Sequence, residues 1–195
     1  NEIKDEPYIR FKEEYDKALY ARQKVIEAIS IASFSKEQDC VDARYVNLKF
    51  IDGKKFIFFS NYNSPKSSQF ESHNQISASI YWHATNVQIR MKASIEKTSK
   101  EYNQKYFFKR SIDKNALAIS SNQSKTINSY DDVEQNYIQT KEQDDLKKCP
   151  EYWGGFAFTP YCIEFWEGHD NRLNKRCVYE YAIEDNEWKQ HFLQP

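Results

Sequence analysis

Short runs rich in Val, Ile, Phe and Tyr dominate the chain from residue 26 onward, and they restrict its fold more than any other feature. Strands are predicted at 26–34, 43–51, 55–62, 76–83 and 87–97, and again at 156–158, 162–167, 176–183 and 188–193. Asp52-Gly53 lies between two of these runs and is typical of a hairpin turn. The succession favours an antiparallel sheet that closes into a barrel over alternating parallel units.

Helices are predicted at 7–28, 64–73, 99–110 and 130–147. Pro7 suits the first turn of the first helix, Ser99 is a candidate N-cap for the third, and Asp131 complements the dipole at the start of the fourth. No internal repeat or low-complexity linker interrupts the sequence. We therefore predict a mainly β fold with peripheral helices, of the α+β class, that forms one domain over residues 1–195.

Composition argues against several classes of function. The net charge of -1 disfavours a large nucleic-acid-binding surface, which needs a concentrated positive field. No apolar run is long enough to cross a bilayer and the N-terminus is polar and acidic, so we expect a soluble cytoplasmic protein with no membrane or nucleic-acid partner. The 4 cysteines and 4 histidines lack the spacing of metal ligands, and no metal site is predicted.

Glycine is too scarce for a glycine-rich nucleotide loop. The chain has 4 glycines and contains neither G-x-G-x-x-G nor G-x-x-x-x-G-K-[ST], so side chains must hold any nucleotide. Candidate side chains lie near the C-terminus, where Arg172 and Arg176 follow Trp166. An indole can cover a flat heterocycle, and a guanidinium suits phosphate or carboxylate. A buried Trp with two solvated Arg at strand ends is the alternative interpretation.

A series of short motifs occurs in a fixed order along the chain. They are RYVNLK at 44–49, FSNYNSPK at 59–66, QIR at 88–90, YFFKR at 106–110, SNQS at 121–124, WGG at 153–155, IEFWEG at 163–168 and RLNKR at 172–176. Their order and spacing resemble the pyridoxamine 5'-phosphate oxidase family from about Arg44 to Pro195, with a weaker match in the N-terminal helix. The resemblance implies an FMN-binding split β-barrel that forms a homodimer, with FMN at the dimer interface.

The resemblance also implies a set of FMN-binding residues. By motif position, Arg44 and Lys66 bind the FMN phosphate, while Trp166 and Arg176 reach the cofactor from the partner subunit. Pro65 replaces a second basic residue that the family often has, so fewer charge-assisted hydrogen bonds are expected. Taken singly, these residues are also compatible with surface charges and polar loops. The implied set is Arg44, Lys49, Phe59, Ser60, Lys66, Gln88, Gln123, Ser124, Trp166 and Arg176.

The substrate-binding positions match the family less closely. Arg172 corresponds to the arginine that covers the substrate ring, and Asn174 replaces a histidine; these two are the predicted catalytic residues. Asn hydrogen-bonds but does not titrate near neutral pH. Lys114 replaces a serine, and the family's G-A-W segment is changed to Ala116-Leu117-Ala118. The set implied to bind substrate is Lys49, Tyr106, Arg110, Lys114, Arg172 and Asn174.

The activity that the resemblance implies is that of an FMN-dependent oxidase. It would convert pyridoxamine or pyridoxine 5'-phosphate to pyridoxal 5'-phosphate with O2 as the acceptor, and no side chain would need to be a nucleophile. The change at Asn174 keeps two alternatives open. One is a related FMN-dependent oxidoreductase that acts on another aromatic or reduced ring, and the other is a flavin- or pyridoxal-phosphate-binding module without turnover.

Overall fold

The computed structural model describes residues 5–143 and 145–195, and within them no helix is both long and apolar enough to span a membrane. The helices are α1 (Glu6–Tyr20), α2 (Pro65–Ser72), α3 (Lys100–Lys109), α4 (Ile112–Ser120) and α5 (Tyr130–Gln143), with a 3-10 helix at His83–Thr85. The strands are β1 (Ala28–Ser35), β2 (Cys40–Asn47), β3 (Phe50–Asp52), β4 (Lys55–Asn61), β5 (Gln75–Trp82), β6 (Val87–Lys97), β7 (Trp153–Glu167), β8 (Lys175–Ala182) and β9 (Glu187–Leu193).

These strands form one antiparallel sheet. Its order is β2-β1-β5-β6-β7-β4-β3, and β8 and β9 extend from β7 as a further antiparallel pair. β7 is therefore hydrogen-bonded to β6, β4 and β8 along its length. A mostly antiparallel sheet with helices at its periphery confirms the predicted fold class.

The core consists largely of aromatic side chains. Phe56 and Phe58 of β4 pack against Phe158 and Phe156 of β7, and the Phe56 and Phe158 ring centres lie 5.2 Å apart. α1 covers one side of this core, because Phe11 packs edge-on against Phe56 at 5.1 Å. Burial of these rings stabilises both the sheet and the docked helix.

Several boundaries differ from the sequence prediction. The 7–28 helix ends at Tyr20, because Arg22 and Val25 take left-handed backbone conformations with φ of 58° and 50°. The 43–51 strand is split into β2 and β3. α4 is absent from the prediction, and α5 ends at Gln143 rather than at 147, with residue 144 outside the described residues.

β7 is one continuous strand where two short ones are predicted. Its register with β6 shifts between Lys92 and Ala93, so that Tyr161 is an extra residue directly after Pro160. Proline cannot donate a hydrogen bond to a sheet, and a bulge is one of the few places in a strand that tolerates it. β7 therefore continues past Pro160, with Trp153 at one end and Trp166 near the other.

Gly154 and Gly155 allow α3 to pack closely against the start of β7. A Cβ atom on Gly154 would overlap the Tyr62 hydroxyl and the Asn103 amide. Asn103, which is buried on α3, accepts a hydrogen bond of 2.9 Å from the Gly155 N–H. These contacts fix α3, and hence Arg110 at its C-terminal end, relative to β7.

Candidate functional site

Lys66 occupies a buried polar site in the first turn of α2. It is 9% exposed, and its ammonium group donates hydrogen bonds of 3.2 Å to the hydroxyls of Ser60 and Ser64. Among the described residues, no carboxylate forms a salt bridge with it. Burial and, to a smaller extent, the Arg44 charge lower the pKa of Lys66 to about 8. An anion bound here would compensate a cation that has no counter-ion of its own.

Arg44 on β2 provides a second cation close to Lys66. It donates hydrogen bonds of 2.6 Å to the Ser33 hydroxyl and 2.7 Å to Oε1 of Gln69, and Asp42 lies 3.7 Å from its guanidinium group. Burial lowers the pKa of Arg44, and the Asp42 charge offsets part of that effect. Lys66 and Arg44 together thus give the site a net positive charge.

Polar side chains of the 121–125 segment extend this site. Oε1 of Gln123 accepts a hydrogen bond of 3.1 Å from the Ser60 hydroxyl, which connects Gln123 to Lys66. Ser124, whose φ is 68°, lines a cavity of about 450 Å³ beside α2 together with Gln69. This region, named here the cationic cradle, consists of Arg44, Ser60, Lys66, Gln123 and Ser124.

Arg110 lines a neighbouring cavity of about 240 Å³, named here the anion pocket. Its guanidinium carbon lies 4.4 Å from the Trp153 ring centre, and its Nη1 atom is buried without a hydrogen-bond partner in the described part of the chain. Burial lowers the pKa of Arg110. Lys114 of α4 also lines this cavity, as do Phe59 and Ser60. The structure therefore brings two predicted phosphate ligands, Arg110 and Lys114, to one pocket.

Tyr106 and Lys49, two further predicted phosphate ligands, do not line the anion pocket. The Tyr106 ring stacks on Phe59 with ring centres 4.0 Å apart, and burial raises its pKa while the Arg110 charge opposes that rise. Lys49 is exposed and lines a different cavity, between α1 and β3. Its neighbour Phe50 contacts the Tyr106 ring edge-on at 5.2 Å. Lys49 therefore lines a different cavity from Arg110 and Lys114.

Gln88, Trp166 and Arg176 form a row across β6, β7 and β8, named here the outer row. Gln88 is paired with Trp166, and Trp166 with Arg176, so the three side chains share one face of the sheet. Arg176 donates a hydrogen bond of 2.7 Å from Nε to Oε1 of Glu164, and Arg90 approaches the other carboxylate oxygen at 3.4 Å. Glu164 therefore fixes the direction of the Arg176 side chain.

The 168–174 loop carries the two predicted catalytic residues. Arg172 is exposed, has a φ of 58°, and donates its backbone N–H to the His169 carbonyl at 2.9 Å. Oδ1 of Asn174 accepts a hydrogen bond of 3.0 Å from the His169 N–H. The Asn174 side chain therefore closes its own loop, a role that the sequence does not indicate.

The cationic cradle and the outer row lie at opposite ends of β7. Ser60 is paired with Gly154 near the start of the strand, whereas Trp166 is its penultimate residue. Trp166 is 12 residues after Gly154, which corresponds to about 40 Å of path along an extended strand at ~3.3 Å per residue, and the bulge at Tyr161 lies on that path. In the described residues, no hydrogen bond or salt bridge joins the outer row or the 168–174 loop to the cradle.

Two side chains of the site are missing from the sequence prediction. Gln69 follows Lys66 by three residues, a helical spacing that places both on one face of α2 and could have revealed it. Trp153 belongs to the W-G-G motif, but its contact with Arg110 depends on the end of α3 and has no sequence signal. In residues 5–143 and 145–195, no group of three or more His, Cys, Asp and Glu side chains is placed to hold a metal ion.

Sequence comparison links the chain to named relatives. Residues 153–195 match the model of the pyridoxine 5'-phosphate oxidase C-terminal dimerisation region. The whole chain is 32% identical to the pyridoxine/pyridoxamine 5'-phosphate oxidase of Rhodopirellula baltica and covers 90% of that protein. The corresponding protein of Microcystis aeruginosa is 33% identical over the whole chain, which covers 91% of it.

Solved structures with the same fold include PhzG from Burkholderia lata 383 in complex with tetrahydrophenazine-1-carboxylic acid. That structure aligns with a TM-score of 0.90 and 25% identity, over 98% of this chain and 93% of PhzG. A pyridoxamine 5'-phosphate oxidase-related, FMN-binding protein from Nostoc punctiforme aligns with a TM-score of 0.77 over 95% of this chain and 97% of its own, and its 13% identity supports the fold alone. Both alignments confirm the predicted split β-barrel.

Proposed function

Because the chain belongs to the pyridoxine/pyridoxamine 5'-phosphate oxidase family, we propose that it is an FMN-dependent oxidase that converts pyridoxamine or pyridoxine 5'-phosphate to pyridoxal 5'-phosphate with O2 as acceptor. The observation that carries the proposal is the pair of adjacent cationic sites, the cradle and the anion pocket, which share Ser60 and Gln123. The reaction brings together two molecules that each bear a phosphate, and each site offers charged donors for one of them.

The residues of the cationic cradle fit the phosphate of FMN. Lys66 is a buried cation without a carboxylate partner among the described residues, and Arg44, Ser60 and Gln123 add donors around it. A phosphate dianion would restore the pKa of Lys66 toward its ordinary value and gain charge-assisted hydrogen bonds. When bound, FMN supplies a hydride acceptor and is reoxidised by O2.

The chain's own residues would bind and orient the substrate. Arg110 and Lys114 hold the substrate phosphate in the anion pocket, and Tyr106 stands beside Arg110 at its edge. Fixing one end of the substrate limits its rotation and positions its reactive carbon, which lowers the entropic part of the barrier. Arg172 of the partner subunit, on the 168–174 loop that Asn174 closes, covers the substrate ring and excludes water.

A homodimer would complete the site. The outer row lies at the end of β7 opposite the cradle and has no hydrogen bond to it in the described residues, so Gln88, Trp166 and Arg176 would contact the flavin bound by the partner subunit. The match of residues 153–195 to a dimerisation region supports this arrangement. Cofactor binding and dimerisation would then be thermodynamically coupled.

A second candidate is an FMN-dependent oxidoreductase that acts on another aromatic or reduced ring acid. PhzG, which shares the fold and 25% identity, was solved with tetrahydrophenazine-1-carboxylic acid. The planar fork of Arg110 would pair with a carboxylate as well as with a phosphate. Asn174 hydrogen-bonds within its own loop and does not titrate near neutral pH, so the substrate ring would have no ionisable partner at that position. A binding module without turnover is the third possibility, in which neither ring compound would be oxidised.

An anaerobic titration separates these candidates. Protein reconstituted with FMN would be mixed with pyridoxamine 5'-phosphate, pyridoxine 5'-phosphate or a reduced phenazine carboxylate, and the flavin absorbance followed. Bleaching by a vitamer phosphate, with peroxide formed on admission of O2, is the result expected. Bleaching by the phenazine acid alone would support the second candidate. A bound flavin that dithionite reduces but none of these compounds does would refute the oxidase proposal.

A further inference from the structure

Trp153 provides a flat surface beneath Arg110 in the anion pocket. The guanidinium carbon of Arg110 lies 4.4 Å from the Trp153 ring centre, closer than the 5.6 Å that separates it from Phe107. We propose that Trp153 is a positioning residue: it holds the Arg110 guanidinium by its face, so that the edge stays free to bind the anionic group of the substrate. The proposal deepens the proposed function and rests on it for the identity of the substrate.

The Trp153 ring is itself held in place on several sides. It is 6% exposed, stacks on Phe59 with ring centres 5.1 Å apart and an interplanar angle of 11°, and meets the edge of Phe107 at 5.0 Å. Its backbone N–H donates to the Pro150 carbonyl at 3.1 Å, and the residue is paired with Asn61 of β4. A ring so constrained can transmit a fixed orientation to a side chain that lies on it.

Arg110 has little else to hold it in one orientation. In the described ranges no carboxylate forms a salt bridge with it, and its Nη1 atom is buried without a hydrogen-bond partner. A cation over an indole face is attracted by the ring quadrupole, and the attraction grows as water is excluded. Because all the N–H groups of a guanidinium lie in its plane, stacking by the face leaves those donors available.

Phosphate binding tests this role without any need for turnover. The FMN-reconstituted protein would be titrated with inorganic phosphate by calorimetry in four forms: wild type, Arg110→Ala, Trp153→Phe and Trp153→Leu. Binding that Arg110→Ala removes is assigned to the anion pocket. Loss of the stacking partner in Trp153→Leu should weaken that binding roughly tenfold. Trp153→Phe keeps a smaller aromatic face, so its phosphate affinity should lie between those of wild type and Trp153→Leu.

Steady-state kinetics with pyridoxamine 5'-phosphate supply the second measurement. Trp153→Leu should raise KM by about the same tenfold factor while kcat changes little, because the contact acts on substrate and transition state alike. FMN affinity should change much less than phosphate affinity, since none of the hydrogen bonds around Lys66 and Arg44 involves Trp153. A fall in kcat and FMN affinity together would show that the indole only stabilises the fold, and it would overturn the proposal.

The outcomes distinguish this proposal from the proposed function. If phosphate binding follows the predicted order but no vitamer phosphate is oxidised, the oxidase assignment fails and the role of Trp153 stands. If the vitamer is oxidised but both Trp153 variants bind phosphate as wild type does, the role of Trp153 is refuted. If Trp153→Leu fails to fold, a phosphate affinity of Trp153→Phe equal to that of wild type is sufficient to reject the role of Trp153.

Discussion

Replacing Lys66 with methionine is expected to stabilise the flavin-free protein and to remove its tight binding of FMN. The pKa of Lys66 is about 8 rather than 10.5, so keeping it charged in the fold costs about 3 kcal/mol at pH 7. Methionine has no charge and adapts to irregular sites. The hydrogen bonds to Ser60 and Ser64 are lost, at about 1 kcal/mol each. The expected net gain is about 1 kcal/mol, or about 3 °C in Tm for a chain of this size.

The pH dependence of this variant makes the test sharper. The folded pKa lies below the unfolded one, so between pH 8 and 10.5 the unfolded chain keeps a proton that the folded chain has lost. The free energy of unfolding of wild type therefore rises across this window, by up to about 3 kcal/mol, whereas Lys66→Met lacks that rise. The order of stability should invert: the variant is the more stable protein at pH 7 and the less stable at pH 10.

Urea unfolding of the flavin-free proteins at both pH values is the measurement. Lys105→Met, on the exposed face of α3, is the matched control and should follow wild type at each pH. FMN at a hundredfold excess over Kd should add about 2.7 kcal/mol to wild type and to the control, and far less to Lys66→Met. If Lys66→Met is less stable than wild type at pH 7, or if the order does not invert, Lys66 is not the uncompensated cation described above.

Three further changes test other parts of the site. Mixing Arg44→Ala and Arg176→Ala chains should restore FMN to about one site in four, because half of the dimers carry one intact site; no flavin absorbance after desalting would contradict a shared site. Gly154→Ala should lower the free energy of unfolding by about 2 kcal/mol, since its Cβ meets the Tyr62 hydroxyl; an unchanged urea midpoint would disprove the close packing. Asn174→Leu should raise KM about tenfold by opening its loop, whereas Asn174→Asp keeps an acceptor for the loop N–H; equal KM values for both variants would exclude this role.

The strands could be predicted from sequence because each contains a short apolar run that is bounded by turn residues. The end of α1 could not, since Arg22 and Val25 adopt left-handed conformations that residues of these types rarely take. The sequence also predicts two strands, 156–158 and 162–167, where β7 is one, because the bulge that accommodates Pro160 inside a strand depends on pairing with β6. Local preference identifies elements, whereas tertiary pairing decides where they begin and end.

The site could be predicted only as far as its motifs extend. Arg110 and Lys114 do meet in one pocket, and Lys66 and Arg44 do lie together, as motif order implied. Their functional roles stay predictions until the experiments above are done. The hydrogen bond of Asn174 to its own loop was invisible in the sequence, because an amide is equally suited to contact a substrate.

The position of the cradle and the outer row at opposite ends of β7 has a genetic consequence if each flavin site draws on both chains. A chain defective at one end leaves one of two sites intact when it pairs with a normal chain, so equal expression of both preserves about half of the sites. A chain defective at both ends spoils both sites of every mixed dimer, and only about a quarter survive. Two lesions at opposite ends of the strand would therefore remove more sites when one chain carries both than when a chain carries either one alone.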